Sequence, residues 1–171
     1  MIVFGKRLAG LSETALARFV KRAARSAGLR GQINILITGN EQLRRLNWRF
    51  RKKNEPTDVL SFPPLAEAGK SLAGDIAISA DIAAQNARFL NHSTQDEIKI
   101  LTLHGMLHLA GYDHERDNGT MARQEERLRQ SLGLPTGLIG RNGRTGAAGR
   151  LGLPHDQEAR RRSRPARSRK L

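Results

Sequence analysis

Apolar residues recur along this chain in two periods, and the switches between them outline a fold. Residues 12 to 28, SETALARFVKRAARSAG, put Leu16, Phe19, Val20, Ala23 and Ala27 on one side of a helix, with Ser12 as N-cap and Gly28 as stop. QINILIT, 32 to 38, changes to period two and sets Ile33, Ile35 and Ile37 on one face of a strand. Asn40 is placed to cap a second helix whose Leu43, Leu46 and Phe50 turn inward. Any leading strand is confined to Ile2 to Phe4.

Basic and polar residues then run to Pro56, after which TDVLSF reads as a short strand closed by Pro63 and Pro64. GDIAIS, 74 to 79, reads as its partner. Residues 65 to 72 form a hairpin loop too short for a parallel crossover, so the pair is expected to be antiparallel. Ser79 or Asp81 opens a helix through about Leu90. Another spans Thr94 to Ala110, with Asp96 and Glu97 in its first turn, where the helix dipole favours acids. Gly111 ends it. MARQEERLRQSLGL, 121 to 134, is a last helix finishing at Gly133 and Pro135. The expectation is an α+β fold, a single small domain over 1–135 with a mixed sheet of three to four strands covered by helices.

Past Pro135 the character changes. Glycines 137, 140, 143, 146, 149 and 152 recur every third residue, followed by EARRRSRPARSRKL. Six triplets with almost no proline are too few for a collagen helix. Residues 136–171 are expected to be a disordered basic tail rich in Gly and Arg. The tail holds ten Lys and Arg against two acids, leaving 20 bases and 14 acids in 1–135 out of a total charge of +14. The folded part is therefore basic as well, which favours a polyanionic partner through phosphate neutralisation. Absence of cysteine excludes disulfides and thiolate metal sites. No run approaches the ~18 apolar residues of a membrane span. The start, MIVFGKRLAG, is too short and too weakly apolar for a secretory signal. A soluble, cytoplasmic protein without a membrane partner is expected.

HGMLHLAGYDH, 104 to 114, carries the chemistry. His104 and His108 lie four residues apart on a helix, about 6 Å along its axis and on one face. Gly111 can take a positive φ and swing His114 back to the same point. Three imidazoles suit one Zn²⁺ with an open fourth position, placing a metal site at the end of a central helix. Nickel, copper and iron accept the same donors. Zinc peptidases share this spacing but carry a glutamate after the first histidine. Gly105 stands there instead and can move no proton, which argues against peptide cleavage. A phosphodiester fits better, since a fixed arginine could clamp its charge and RNA brings its own 2′-hydroxyl. Asp113 is a candidate to orient a ligand or to stabilise the turn. Glu115 lies beyond the turn, and His92 and His155 are read as surface residues.

This stretch resembles the H-G-x-L-H-L-x-G-Y-D-H signature of the YbeY family, bacterial single-metal endoribonucleases of ribosomal RNA maturation. NWRFRKKNEPTDVLSFP, 47 to 63, and GDIAIS are similar to two further family segments, in the same order. The resemblance covers about residues 32 to 134 and does not extend to the tail. It implies that His104, His108 and His114 are zinc ligands, with His114 and Arg51 serving catalysis and Arg51 lying beside the metal cleft. Thr57, Asp58 and Ser61 are expected to shape that cleft. It further implies a single-strand-specific endoribonuclease acting in 16S rRNA 3′-end processing and ribosome quality control, with ribosomal RNA and ribosomal particles as partners. The alternative is a non-catalytic RNA-binding assembly factor with a structural zinc site. No residue stands out as general base.

Overall fold

A computed structural model describes residues 1–64, 71–114 and 116–136. These lie in one compact unit, Met1–Gly137. The hairpin residues 65–70, Glu115, His155 and the basic tail from 137 onward are outside the described residues.

Four strands form one mixed sheet in the order β1-β2-β4-β3. The strands are β1 (Ile2–Phe4), β2 (Gln32–Thr38), β3 (Val59–Phe62) and β4 (Leu72–Ser79). β1 runs parallel to β2, and β2 parallel to β4, with Ile35 opposite Ile76. β3 pairs antiparallel with β4, Ser61 opposite Ile76, and closes the sheet as an edge strand. The helices are α1 (Glu13–Ser26), α2 (Asn40–Arg51), α3 (Ala80–Phe89), α4 (Thr94–Leu109) and α5 (Thr120–Leu132). None of the described helices is long and apolar enough to cross a membrane.

Strand alternation sorts the core into two layers. Ile33, Ile35 and Ile37 of β2 join Ile76 and Ile78 of β4 in a large cluster with α1, α3, α4 and α5. The intervening Leu36 and Ala77 turn to the other face, where Leu43 of α2 packs with Leu60. Helix α4 is the centre of the large layer. Residues from Ile98 to Leu107 are buried on nearly every side, so it lacks the single apolar stripe of a surface helix.

Two local expectations for α2 are corrected. Gly39, not Asn40, is the N-cap, and it makes no side-chain cap bond. Asn40 begins the helix and instead accepts 2.6 Å from the Ser79 hydroxyl, tying it to the end of β4. Phe50 has the right period to face inward but is exposed. It touches Phe62 edge-on at 4.8 Å, and β3, which carries Phe62, has no neighbour on its outer side among the described strands. His92 is corrected in the opposite sense. Its side chain is only 11% exposed and meets Glu97 at 2.7 Å, with Asn86 donating to the other Glu97 oxygen at 3.1 Å.

Candidate metal centre

Helix α4 ends in a glycine turn that decides the geometry of the centre. Gly111 sits at φ +92, its N–H donates to the His108 carbonyl, and the Tyr112 N–H donates to the Leu107 carbonyl, both at 3.0 Å. This paired bonding is the Schellman end, which needs a left-handed residue at that position. The reversed chain brings His114 against the two helical imidazoles. Ring centroids are 4.8 Å apart for His104 and His108, 5.5 Å for His104 and His114, and 5.1 Å for His108 and His114. One nitrogen from each ring lies within 4.8 Å of the others, close enough to hold a metal ion.

Hydrogen bonds at the far side of two rings point their lone pairs at this common centre. His104 Nδ1 lies 2.8 Å from Glu125 Oε2, and His108 Nδ1 lies 3.0 Å from the Tyr112 carbonyl oxygen. Each oxygen is an acceptor, so each neutral ring carries its hydrogen on Nδ1 and leaves Nε2 bare. With both rings neutral, the two Nε2 atoms then face one another at 3.2 Å without a hydrogen to share. Two lone pairs at that distance repel unless a cation lies between them. Tetrahedral donors at 2.0–2.1 Å from an ion stand roughly 3.3 Å apart. The donor set fits a metal.

Burial, then the neighbouring His104, His114 and Arg51 charges, hold His108 below the ordinary imidazole value of 6.5, against the raising effect of the Tyr112 carbonyl. A lowered folded value means that the unfolded chain takes the proton first. This contribution to stability is therefore intact above 6.5 and is lost as pH falls through the lower folded value. Metal-free protein is expected to melt at progressively lower temperature as pH falls from 6.5 towards that lower folded value, and His108→Gln should flatten this part of the slope. Scanning calorimetry between pH 5 and 8 checks this.

Sequence reasoning missed Glu125. It projects from α5 between the buried Met121 and Leu128, four residues after one and three before the other. An acid on an apolar stripe needs a partner, and that was the available signal. Burial pushes its carboxyl up, but the bonds to His104 and Arg129 and their charges hold it below 4.5. Arg129 pairs with the oxygen that His104 does not use. Glu125→Gln is expected to weaken zinc affinity about 10- to 100-fold with the fold intact, read by competition with a chromogenic chelator. Unaltered affinity would show that Glu125 does not orient the ring.

A cleft of about 350 Å³ opens beside the imidazoles, lined by Arg51, Ser61, Pro63, His108, Leu109, Gly111, Tyr112 and Asp113. Arg51 reaches it from the last turn of α2, where Lys52 closes the helix in the left-handed conformation. Among the described residues no carboxylate pairs with Arg51. Ser61 reaches it from β3, its hydroxyl donating to the Gly105 carbonyl at 3.2 Å. Thr57 and Asp58 instead organise the start of β3, where Asp58 Oδ1 accepts from Thr57 and from the Val59 N–H. Asp113 lines the cleft and lies 3.6 Å from Arg116.

Gly105 has a packing reason. A Cβ placed there would lie 3.0 Å from both Ser61 Oγ and Ile76 Cγ2, a tight contact that requires these neighbours to give way and leaves no space for a side chain longer than a methyl. The position that could have carried a peptidase glutamate is filled by β3 and β4.

Fold and site together define a small α+β domain with a candidate metal centre at the end of its central helix, open to an arginine-lined cleft. The family description Endoribonuclease YbeY matches residues 5–133. Endoribonuclease YbeY of Koribacter versatilis is 53% identical over 141 residues, covering 82% of this chain and 91% of the relative. That of Solibacter usitatus is 48% identical over 140 residues, covering 82% and 92%. The solution structure of TM1509 from Thermotoga maritima superposes with a TM-score of 0.52 at 27% identity, covering 77% of this chain and 89% of that one. The chain belongs to the Endoribonuclease YbeY family.

Proposed function

We propose that this chain is a zinc-dependent endoribonuclease that cuts single-stranded segments of ribosomal RNA, acting in 16S 3′-end processing and ribosome quality control. His104, His108 and His114 hold the ion, and Arg51 and His114 belong to the catalytic machinery. The observation that carries the reading is the convergence of three imidazoles beside an arginine that forms no ion pair with a described carboxylate. When bound, zinc would supply Lewis acidity toward a phosphoryl oxygen and an attacking hydroxyl.

The chain's own groups supply the rest. Arg51 offers a planar fork of donors to the phosphate oxygens, matched to the charge that builds in phosphoryl transfer. Glu125 and the Tyr112 carbonyl keep the His104 and His108 rings in one tautomer and one orientation. Gly105 brings no carboxylate, and RNA needs no water activated at that position, because its 2′-hydroxyl is the neighbouring nucleophile, whose loss of a proton a bound zinc would favour. The basic balance of residues 1–135 supports a polyanionic substrate and ribosomal particles as partners in the cytoplasm.

The test pairs elemental analysis with cleavage of end-labelled RNA, single-stranded and duplex, before and after chelation. Bound zinc, cleavage of the single strand, loss on chelation and recovery with added zinc are expected. RNA binding without turnover under any metal would favour the assembly-factor reading, and cleavage that survives chelation would overturn the metal-dependent one.

A further inference from the structure

Beside the imidazole cluster, the last turn of α2 presents a surface that core packing does not explain. Trp48 and Phe50 are 55% and 56% exposed. From Trp48 to Lys53 the chain reads WRFRKK, two aromatic rings interleaved with four cations and no acid. Among the described residues, none of those cations is paired with a carboxylate.

The surface is held in place. Phe50 is seated edge-on against Phe62, and the Arg49 guanidinium lies 5.4 Å from its ring centre. Buried Asn47 donates at 2.8 Å to the Glu55 carbonyl and pins the loop that follows the helix. Residues two apart on a helix diverge by about 200°, so Trp48 and Phe50 leave α2 on opposite sides. Arg51, about 60° from Trp48 and 100° from Phe50 at 100° per residue, projects between them and lines the cleft next to His108.

We propose that Trp48 and Phe50 are a base-stacking platform for single-stranded RNA, flanking Arg51 so that the bases on either side of the held phosphate lie on aromatic faces. This rests on the ribonuclease reading above and adds to it the residues that grip the strand. Interleaved cations and rings suit a polyanion that also offers π faces. Duplex RNA keeps its bases stacked on one another and has none to give, so the platform also supplies a physical basis for single-strand preference.

Trp48 is the chain's one tryptophan, so its fluorescence reports the contact directly. The full chain is titrated with a labelled adenosine decanucleotide and with an abasic decamer of the same sugar-phosphate backbone, affinities being read by anisotropy. The adenosine strand should quench Trp48, and the abasic strand should bind without quenching. Trp48→Ala and Phe50→Leu should each weaken the adenosine strand by about tenfold and leave abasic binding and its salt dependence unchanged. Leucine keeps an apolar contact with Phe62, and circular dichroism melting verifies that the variant is folded. Absence of quenching, or equal weakening of both ligands, overturns the platform and assigns the rings to another partner. Wild-type cleavage without quenching would sink the platform and spare the ribonuclease. Quenching and base-dependent binding without cleavage would do the reverse.

Discussion

His114→Ala is expected to lower RNA cleavage by on the order of a thousandfold and to strip the chain of its metal, with little change in melting temperature relative to the metal-free wild-type chain. The separation of these effects follows from where the residue sits. His114 is exposed, lies beyond the Gly111 turn and belongs to neither apolar cluster. Its loss therefore leaves no cavity. It leaves only two imidazoles, and an ion with two protein donors exchanges readily with solvent. Arg51→Ala is the informative contrast, because it should retain the metal while losing about a hundred- to a thousandfold in turnover. Zinc content, cleavage rate and thermal melting measured on the same preparations decide the matter. A His114→Ala protein that keeps a full equivalent of zinc and cuts at the wild-type rate would remove the basis for the site.

Gly105→Glu, the change that restores the peptidase pattern, is expected to unfold the domain rather than convert it. A Cβ at Gly105 already meets Ser61 and Ile76 at 3.0 Å. Overpacking of that kind costs about 1–3 kcal/mol. A carboxylate driven further into the contact between α4 and the sheet adds a buried charge without a partner, a cost of several kcal/mol more. The sum is comparable with the roughly 5–15 kcal/mol that separates a folded domain from its unfolded chain. Gly105→Ala provides the scale. Its clash is partly offset by about 1 kcal/mol of improved helix propensity, so it should fold with reduced stability. Denaturant titration of both variants tests the argument, and a Gly105→Glu protein with wild-type stability would refute it.

The second result turns on contacts between elements, and this is where sequence reading stopped. Phe50 has the period of a buried residue, but the strand order that leaves β3 at the edge is not written in α2. His92 looked like a surface histidine because its partner, Glu97, reads as an ordinary acid in a helix's first turn. Glu125 was hidden for the same reason. It is 21 residues from His104 along the chain, and only the packing of α5 against α4 brings them to 2.8 Å.

What the amino-acid order determined by itself was local. Helical spacing of His104 and His108, a turn at Gly111 and alternation in QINILIT each depend on backbone geometry within a few residues, so they can be read without knowing the rest of the molecule. The tertiary structure alone decided which acid orients His104, why Gly105 has no room for a glutamate side chain, and how Arg51 comes to share a cleft with His108. Those depend on how α2, α4 and α5 dock on the sheet. Docking is settled by the summed burial of many side chains, and no single motif carries it.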